Sequence, residues 1–187
     1  MLGCYLIGQP GAGKSTLFRE VTQGIPSYES SQPFAHTVYL PEPSGGRPIG
    51  AQLGRHHETF PGTDRLSMAV QPDAEAWVRS APYPVIIGEG DRLATLGFLT
   101  ALTEACDEGC TILWLDTPQL TARARATRRG SAQTEAWVKG RRSKVNRLTD
   151  LLPVVRLDGT LSPELLAVQA IGASPALQAL HALVPGL

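Results

Sequence analysis

Apolar and polar positions divide the chain into two kinds of block. The first is a short apolar run, at Leu2–Ile7 and residues 85–88 and 111–115, with Val154-Val155-Arg156-Leu157 reading as a fourth strand. Runs of that length without polar alternation predict strands buried on both faces. The second kind carries apolar residues at helical spacing. Leu17, Phe18 and Val21 do so within residues 14–23, and Leu96, Leu99 and Leu102 within residues 93–108. Start signals mark three more helices. Pro72-Asp73 opens one to Ser80, while Ser162-Pro163-Glu164 and Ser174-Pro175 each set a serine N-cap before a proline at the first helical position. The last runs to about Val184. Buried strands alternating with helices predict an α/β fold of three layers, a central parallel sheet flanked by helices.

Two segments break this alternation. Residues 24–63 are rich in Gly, Pro and Ser, with β-like runs at 35–40 and Gly50–Leu53 and otherwise little regular structure; residues 67–70 predict a further short strand. Residues 119–152 are polar, basic and helical in character. No repeat and no clean domain boundary is visible. The chain therefore reads as one domain, 1–187, with a substrate-region insertion over about 24–80 and a lid over about 118–147.

Composition narrows the classes. With 187 residues, 42% of them hydrophobic and 18% charged, the chain can bury a sizeable core and is not a disordered polymer. Lys+Arg and Asp+Glu are 17 each, which excludes a uniformly basic surface but leaves room for a local basic patch. Cys4, Cys106 and Cys110 fit neither a disulfide framework nor zinc spacing and read as reduced thiols of a cytoplasmic protein. The apolar N-terminus lacks a basic flank and reads as a strand rather than a signal peptide, and no run approaches membrane-spanning length.

The strongest chemical signal is Gly8-Gln9-Pro10-Gly11-Ala12-Gly13-Lys14-Ser15, set between the first strand and first helix. Glycines let such a loop wrap with its N–H groups inward, and those donors with the helix N-terminus cradle phosphate oxygens. Gly8, Gly11, Ala12, Gly13, Lys14, Ser15 and Thr16 are thus expected to bind the phosphates of ATP, with Lys14 on the β- and γ-phosphates and the Ser15 hydroxyl on Mg²⁺. No Asn-Lys-x-Asp guanine motif is present, and the apolar run at 85–88 leads into Glu89-Gly90-Asp91-Arg92 rather than Asp-Glu. That acid-Gly pair with a nearby Arg looks like the small-molecule and nucleotide kinases. Glu89 then holds a Mg²⁺-bound water, and Asp91 competes for that role or for the base.

A lid would follow the third buried strand, where the chain carries Arg123, Arg125, Arg128 and Arg129, then Lys139, Arg141, Arg142 and Lys144. Arg128 and Arg129 are the candidates to meet the transferring phosphoryl group, although charge runs are usually solvated faces. The Asp158-Gly159-Thr160 turn resembles the adenine-side loop of nucleotide and sugar kinases; a plain strand-to-helix turn is the bland alternative. In the variable middle, Asp64 is the candidate base for an acceptor hydroxyl, and Arg65 a phosphate holder. Arg92 can contact the acceptor or its phosphate. His56-His57-Glu58 reads as a polar loop, because adjacent histidines share no helix face and no third metal ligand is near.

Residues 63–68 (Thr-Asp-Arg-Leu-Ser-Met), 89–93 (Glu-Gly-Asp-Arg-Leu), 129–133 (Arg-Gly-Ser-Ala-Gln) and 137–141 (Trp-Val-Lys-Gly-Arg) together resemble the P-loop kinases of bacteriophages with hypermodified DNA. The resemblance covers most of the chain. It implies phosphorylation of 5-hydroxymethyluracil within DNA, in the host cytoplasm, with ATP and Mg²⁺. Under it Arg65, Asp91, Arg92, Trp137, Lys139 and Arg141 face the substrate. The basic segment suits a polymer's phosphates and Trp137 can stack on a base, although Trp137 serves equally as lid core. A free nucleoside or nucleotide kinase, and a P-loop ATPase that phosphorylates no acceptor, remain alternatives. The oligomeric state is open.

Overall fold

The computed structural model describes residues 1–55 and 62–184; the His56-His57-Glu58 loop lies outside them. A seven-stranded sheet forms the centre. Its strands are β1 (Leu2–Ile7), β2 (Ser27–Ser30), β3 (His36–Tyr39), β4 (Gly50–Leu53), β5 (Val85–Glu89), β6 (Gly109–Asp116) and β7 (Val155–Asp158), in the order β2-β3-β4-β5-β1-β6-β7. β4, β5, β1, β6 and β7 run parallel, with Leu6 beside Glu89 on one side and Leu113 on the other. β2 and β3 are antiparallel additions at one edge.

Alternation along β1 divides the core. Cys4 and Leu6 point to one face, where α1 (Lys14–Thr22), α6 (Pro163–Ala173) and α7 (Pro175–Ala182) pack through residues such as Phe18, Ala170 and Leu177. Tyr5 and Ile7 point to the other, covered by α2 (Gln71–Arg79), α3 (Leu96–Ala105) and α5 (Glu135–Leu151) through Val78, Phe98 and Val145. α4 (Gln119–Arg128) lies between β6 and α5 in the chain. Every parallel strand thus ends on one edge, and the loops after β1, β5, β6 and β7 meet there, where α/β sheets bind ligands. Among the described residues no single helix is long and apolar enough to cross a membrane.

The structure alters four expectations. The insertion is more regular than its composition suggests: it supplies three strands, and β2 is mostly exposed, so Ser27–Ser30 carries no apolar alternation to detect. Residues 67–70 form a turn rather than a strand, with Val70 N donating to Ser67 O at 3.2 Å; Leu66 and Val70 are buried while Ser67, Met68 and Ala69 face solvent. The helix expected from 93 begins at Leu96, because Thr95 caps it by accepting from Phe98 N at 3.2 Å. The basic segment is two helices, broken where Gly130 takes φ 68° and Thr134 caps α5.

Phe98 is fully buried and meets Tyr5 edge-on at 5.9 Å between ring centres. Phe98→Ala should cost about 3–5 kcal/mol, read as a lower midpoint in urea unfolding. A loss well below 1 kcal/mol would mean that this face of the sheet is not packed as described.

Candidate active site

The glycine-rich loop turns directly off β1. Gly11 and Gly13 take φ 80° and 108°, and a Cβ on Gly11 would lie 2.3 Å from Ala122 O of α4. Only glycine lets the loop lie this close to that helix. Lys14 Nζ donates to Gly8 O at 2.8 Å and Gln9 O at 3.4 Å, so the ammonium is held across the mouth of the loop. Ala12 is buried, Thr16 is exposed, and Ser15 lies in the first turn of α1 with its hydroxyl donating to Glu89 Oε1 at 3.0 Å.

Glu89 ends β5 and is only 1% exposed. Burial pushes its carboxyl up from 4.5 to about 7; Asp64 adds to the rise, while Lys14 and the Ser15 hydrogen bond oppose it. The chain is shaped around this group. A Cβ on Gly62 (φ 64°) would sit 2.5 Å from Glu89 Oε1, and one on Gly90 (φ 112°) would sit 2.6 Å from Thr63 Oγ1. Tyr5 OH donates to Gly90 O at 3.0 Å and lies 3.2 Å from Thr63 Oγ1. A 3-10 turn, Thr63–Arg65, thereby brings Asp64 to the end of β5, where its carboxylate accepts from Asp91 N at 2.6 Å. Arg92 bonds Met68 Sδ and approaches Asp64 O at 3.4 Å, while Arg65 is exposed.

Asp91 does not stand free. It pairs with Arg141 at 2.7 Å and Lys144 at 3.2 Å, and Lys144 also donates to its carbonyl at 2.8 Å, which ties α5 to the β5 loop. Arg141 lies over the Trp137 ring at 5.1 Å, and Trp137 is 38% exposed. Lys139, Arg128 and Arg129 are exposed. On the far side, Asp158 Oδ1 accepts from Thr160 N at 2.9 Å and Thr160 Oγ1 at 2.7 Å, closing its own turn. Gly159 N donates to Asp116 O at 2.7 Å, and a Cβ on Gly159 would lie 1.8 Å from Thr117 Oγ1.

Two residues of this edge were not singled out by sequence. Arg125 Nη1 donates to both Ala12 O and Gly159 O at 3.0 Å, joining the phosphate loop, α4 and the β7 turn. Its signal was its three-residue spacing from Ala122, which puts both on the helix face turned to the loop. Thr117 Oγ1 donates to Ala12 O at 3.0 Å and left no sequence signal.

The arrangement suits a nucleoside triphosphate with Mg²⁺. Gly11 lets the loop lie against α4, Lys14 sits at its mouth, and a hydroxyl and a buried carboxyl stand together beside it. No group of three or more His, Cys, Asp or Glu that could hold a metal occurs among the described residues.

The model of the P-loop Nucleotide Kinase3 family matches residues 2–163. No curated protein matches the chain. Among solved structures, an unliganded sugar kinase from Janibacter sp. HTCC2649 superposes with a TM-score of 0.54 at 16% identity, over 98% of each chain. At that identity the likeness is one of fold.

The electrostatics predict a pH signature. Glu89 carries a raised value when folded, so its burial penalty is absent below 4.5 and complete above about 7. As pH rises through that window the nucleotide-free protein should lose up to about 3 kcal/mol from this group. Glu89→Gln should flatten that slope and be the more stable protein at pH 8; unchanged slopes in urea unfolding at pH 5 and pH 8 would contradict the burial. Arg125→Ala should weaken ATP binding at least about tenfold by calorimetry, through loss of the link between loop and turn. Unaltered affinity would leave Arg125 a surface bond.

Proposed function

This chain belongs to the P-loop Nucleotide Kinase3 family, and from that premise we propose that it transfers the γ-phosphoryl group of ATP to a hydroxyl, specifically the 5-hydroxymethyl group of 5-hydroxymethyluracil in DNA. One observation carries the phosphotransferase reading: the Ser15–Glu89 contact beside Lys14 at the end of β1 and β5. Backbone groups of residues 8–16 take the phosphates and Lys14 meets the β- and γ-oxygens. Ser15 holds Mg²⁺ and Glu89 one of its waters. ATP supplies the phosphoryl group, and Mg²⁺ neutralises its oxygens. Asp158, Gly159 and Thr160 border the base, kept in register with the loop by Arg125.

Asp64 is the base for the acceptor hydroxyl. It lies close enough to Glu89 to raise that carboxyl, and a backbone N–H from Asp91 aims its side chain. Lys14, Arg128 and Arg129 counter charge on the transferring group, α4 and α5 forming the lid that excludes water. Arg65 and Arg92 take the acceptor's phosphate. Asp91 orders Arg141 and Lys144, and Trp137 with Lys139 and Arg141 meets the nucleic acid. The exposed cations of α4 and α5 support a polymer substrate, whose binding must then weaken with salt.

Labelled ATP offered with duplex DNA containing 5-hydroxymethyluracil, and separately with free nucleosides and nucleotides, tests the reading. Label should enter the DNA. Label confined to free nucleosides or nucleotides would make the protein a small-substrate kinase, and phosphate release with no labelled acceptor would make it an ATPase. Lys14→Ala should abolish transfer. Asp64→Asn should lower transfer at least about 100-fold while leaving ATP affinity within about twofold; undiminished transfer removes Asp64 as the base.

A further inference from the structure

At the edge of the sheet opposite the phosphate loop, the end of α3 meets the start of β6. Cys106 caps α3, its N–H donating to Leu102 O at 3.2 Å and Thr103 O at 3.3 Å. The chain then turns, with Gly109 at φ 122° and its N–H donating to Cys106 O at 3.0 Å, and enters β6 at once. That turn returns Cys110 to the side of Cys106. Gly3 of β1 is the register partner of Cys110. Its missing side chain leaves the space that both sulfurs use: a Cβ on Gly3 would lie 2.5 Å from Cys106 Sγ and 3.0 Å from Cys110 Sγ. The two thiols thus share one small recess beside β1 and are hydrogen-bonded to each other.

The two sulfurs are unequal. Cys106 is 6% exposed, whereas Cys110 is only half-buried. The Cys106 S–H donates to Cys110, which holds the Cys110 thiol below its ordinary value against the opposing effect of burial. The same bond, together with burial, pushes the Cys106 thiol up. Thiol reactivity follows thiolate character and exposure, so Cys110 is the nucleophile of the pair and Cys106 a second thiol held beside it. Cys4 is fully buried and belongs to the core on the other face of the sheet. It competes for neither role.

We propose that Cys106 and Cys110 form a modification site for low-molecular-weight disulfides, at which the chain takes up one reversible Cys106–Cys110 disulfide. The Cys110 thiolate attacks one sulfur of the small disulfide; a mixed disulfide forms and one small thiolate leaves. Cys106 gives its proton to that thiolate. The Cys106 thiolate then attacks the Cys110 sulfur, breaking the mixed disulfide and releasing the second small thiolate, which takes a proton from solvent. Two protein thiols are oxidised, and one small disulfide is reduced to two thiols. The second attack is intramolecular, so Cys106 needs no solvent access. The bond also keeps Cys110 from the irreversible sulfinic and sulfonic stages of oxidation. No residue of the phosphate site takes part.

The test is oxidised glutathione added to the folded whole chain, followed by iodoacetamide to trap free thiols and by mass measurement of the tryptic peptides. No Lys or Arg lies between Arg92 and Arg123, so both thiols fall in peptide 93–123, while Cys4 falls in peptide 1–14. Peptide 93–123 should lose two hydrogens and take up no alkyl group, and dithiothreitol should restore both thiols. Cys106→Ser should stop at a single glutathionyl group on Cys110, and Cys110→Ser should leave Cys106 unmodified. In Cys106→Ala the pH midpoint for alkylation of Cys110 should rise, because the donated hydrogen bond is gone. Two thiols that stay alkylatable in the unvaried chain overturn the proposal, as does a mixed disulfide that persists there or a bond that joins Cys4 instead. Glutathione entering Cys106 of Cys110→Ser, or an unmoved midpoint in Cys106→Ala, overturns it as well.

Discussion

The buried carboxyl of Glu89 is the constraint around which this edge of the sheet is organised. A carboxyl at 1% exposure is tolerable only if neighbouring groups offset its lost hydration, and here a serine hydroxyl and a lysine do so from one side. The other side is backbone. Gly62 and Gly90 adopt conformations that favour glycine and leave out the side chains that would strike Glu89 and Thr63. Tyr5, deep in β1, ties Gly90 to the Thr63 turn. An inner strand, the phosphate loop and the insertion therefore meet at one acid.

The sheet makes that meeting possible. β5 and β6 flank β1 in parallel, so the loops that follow all three open on one edge. β7 extends the same edge, and Arg125 spans from the phosphate loop to the β7 turn. On the opposite side Asp91 anchors α5 through Arg141 and Lys144. The phosphate loop thus lies between two clamps of opposite kind: a guanidinium reading backbone carbonyls, and a carboxylate gathering cations of α5.

Much of this was legible in sequence, for physical reasons. The inner strands β1 and β5 are buried and apolar up to Glu89, and the phosphate loop's glycines answer to a backbone shape that few other residues adopt. Glu89 was readable from its place after an apolar run. β2 was not, because Ser27–Ser30 makes an edge strand from backbone pairing with mostly exposed side chains. The turn at 67–70 was misread because Leu66 and Val70 are buried four apart, a helical rather than a strand interval. Arg125 was hidden among like charges; only contact with carbonyls separates it from Arg128 and Arg129.

The central claim is that Ser15 and Glu89 form one Mg²⁺-dependent unit in the donor site. Calorimetry of ATP binding with and without Mg²⁺, on Ser15→Ala, Glu89→Gln and the double variant, tests it most directly. Each single change should remove most of the tightening that Mg²⁺ confers, and the double variant should lose little more than the worse single one. Additive losses, or full Mg²⁺ dependence retained in Glu89→Gln, would contradict it.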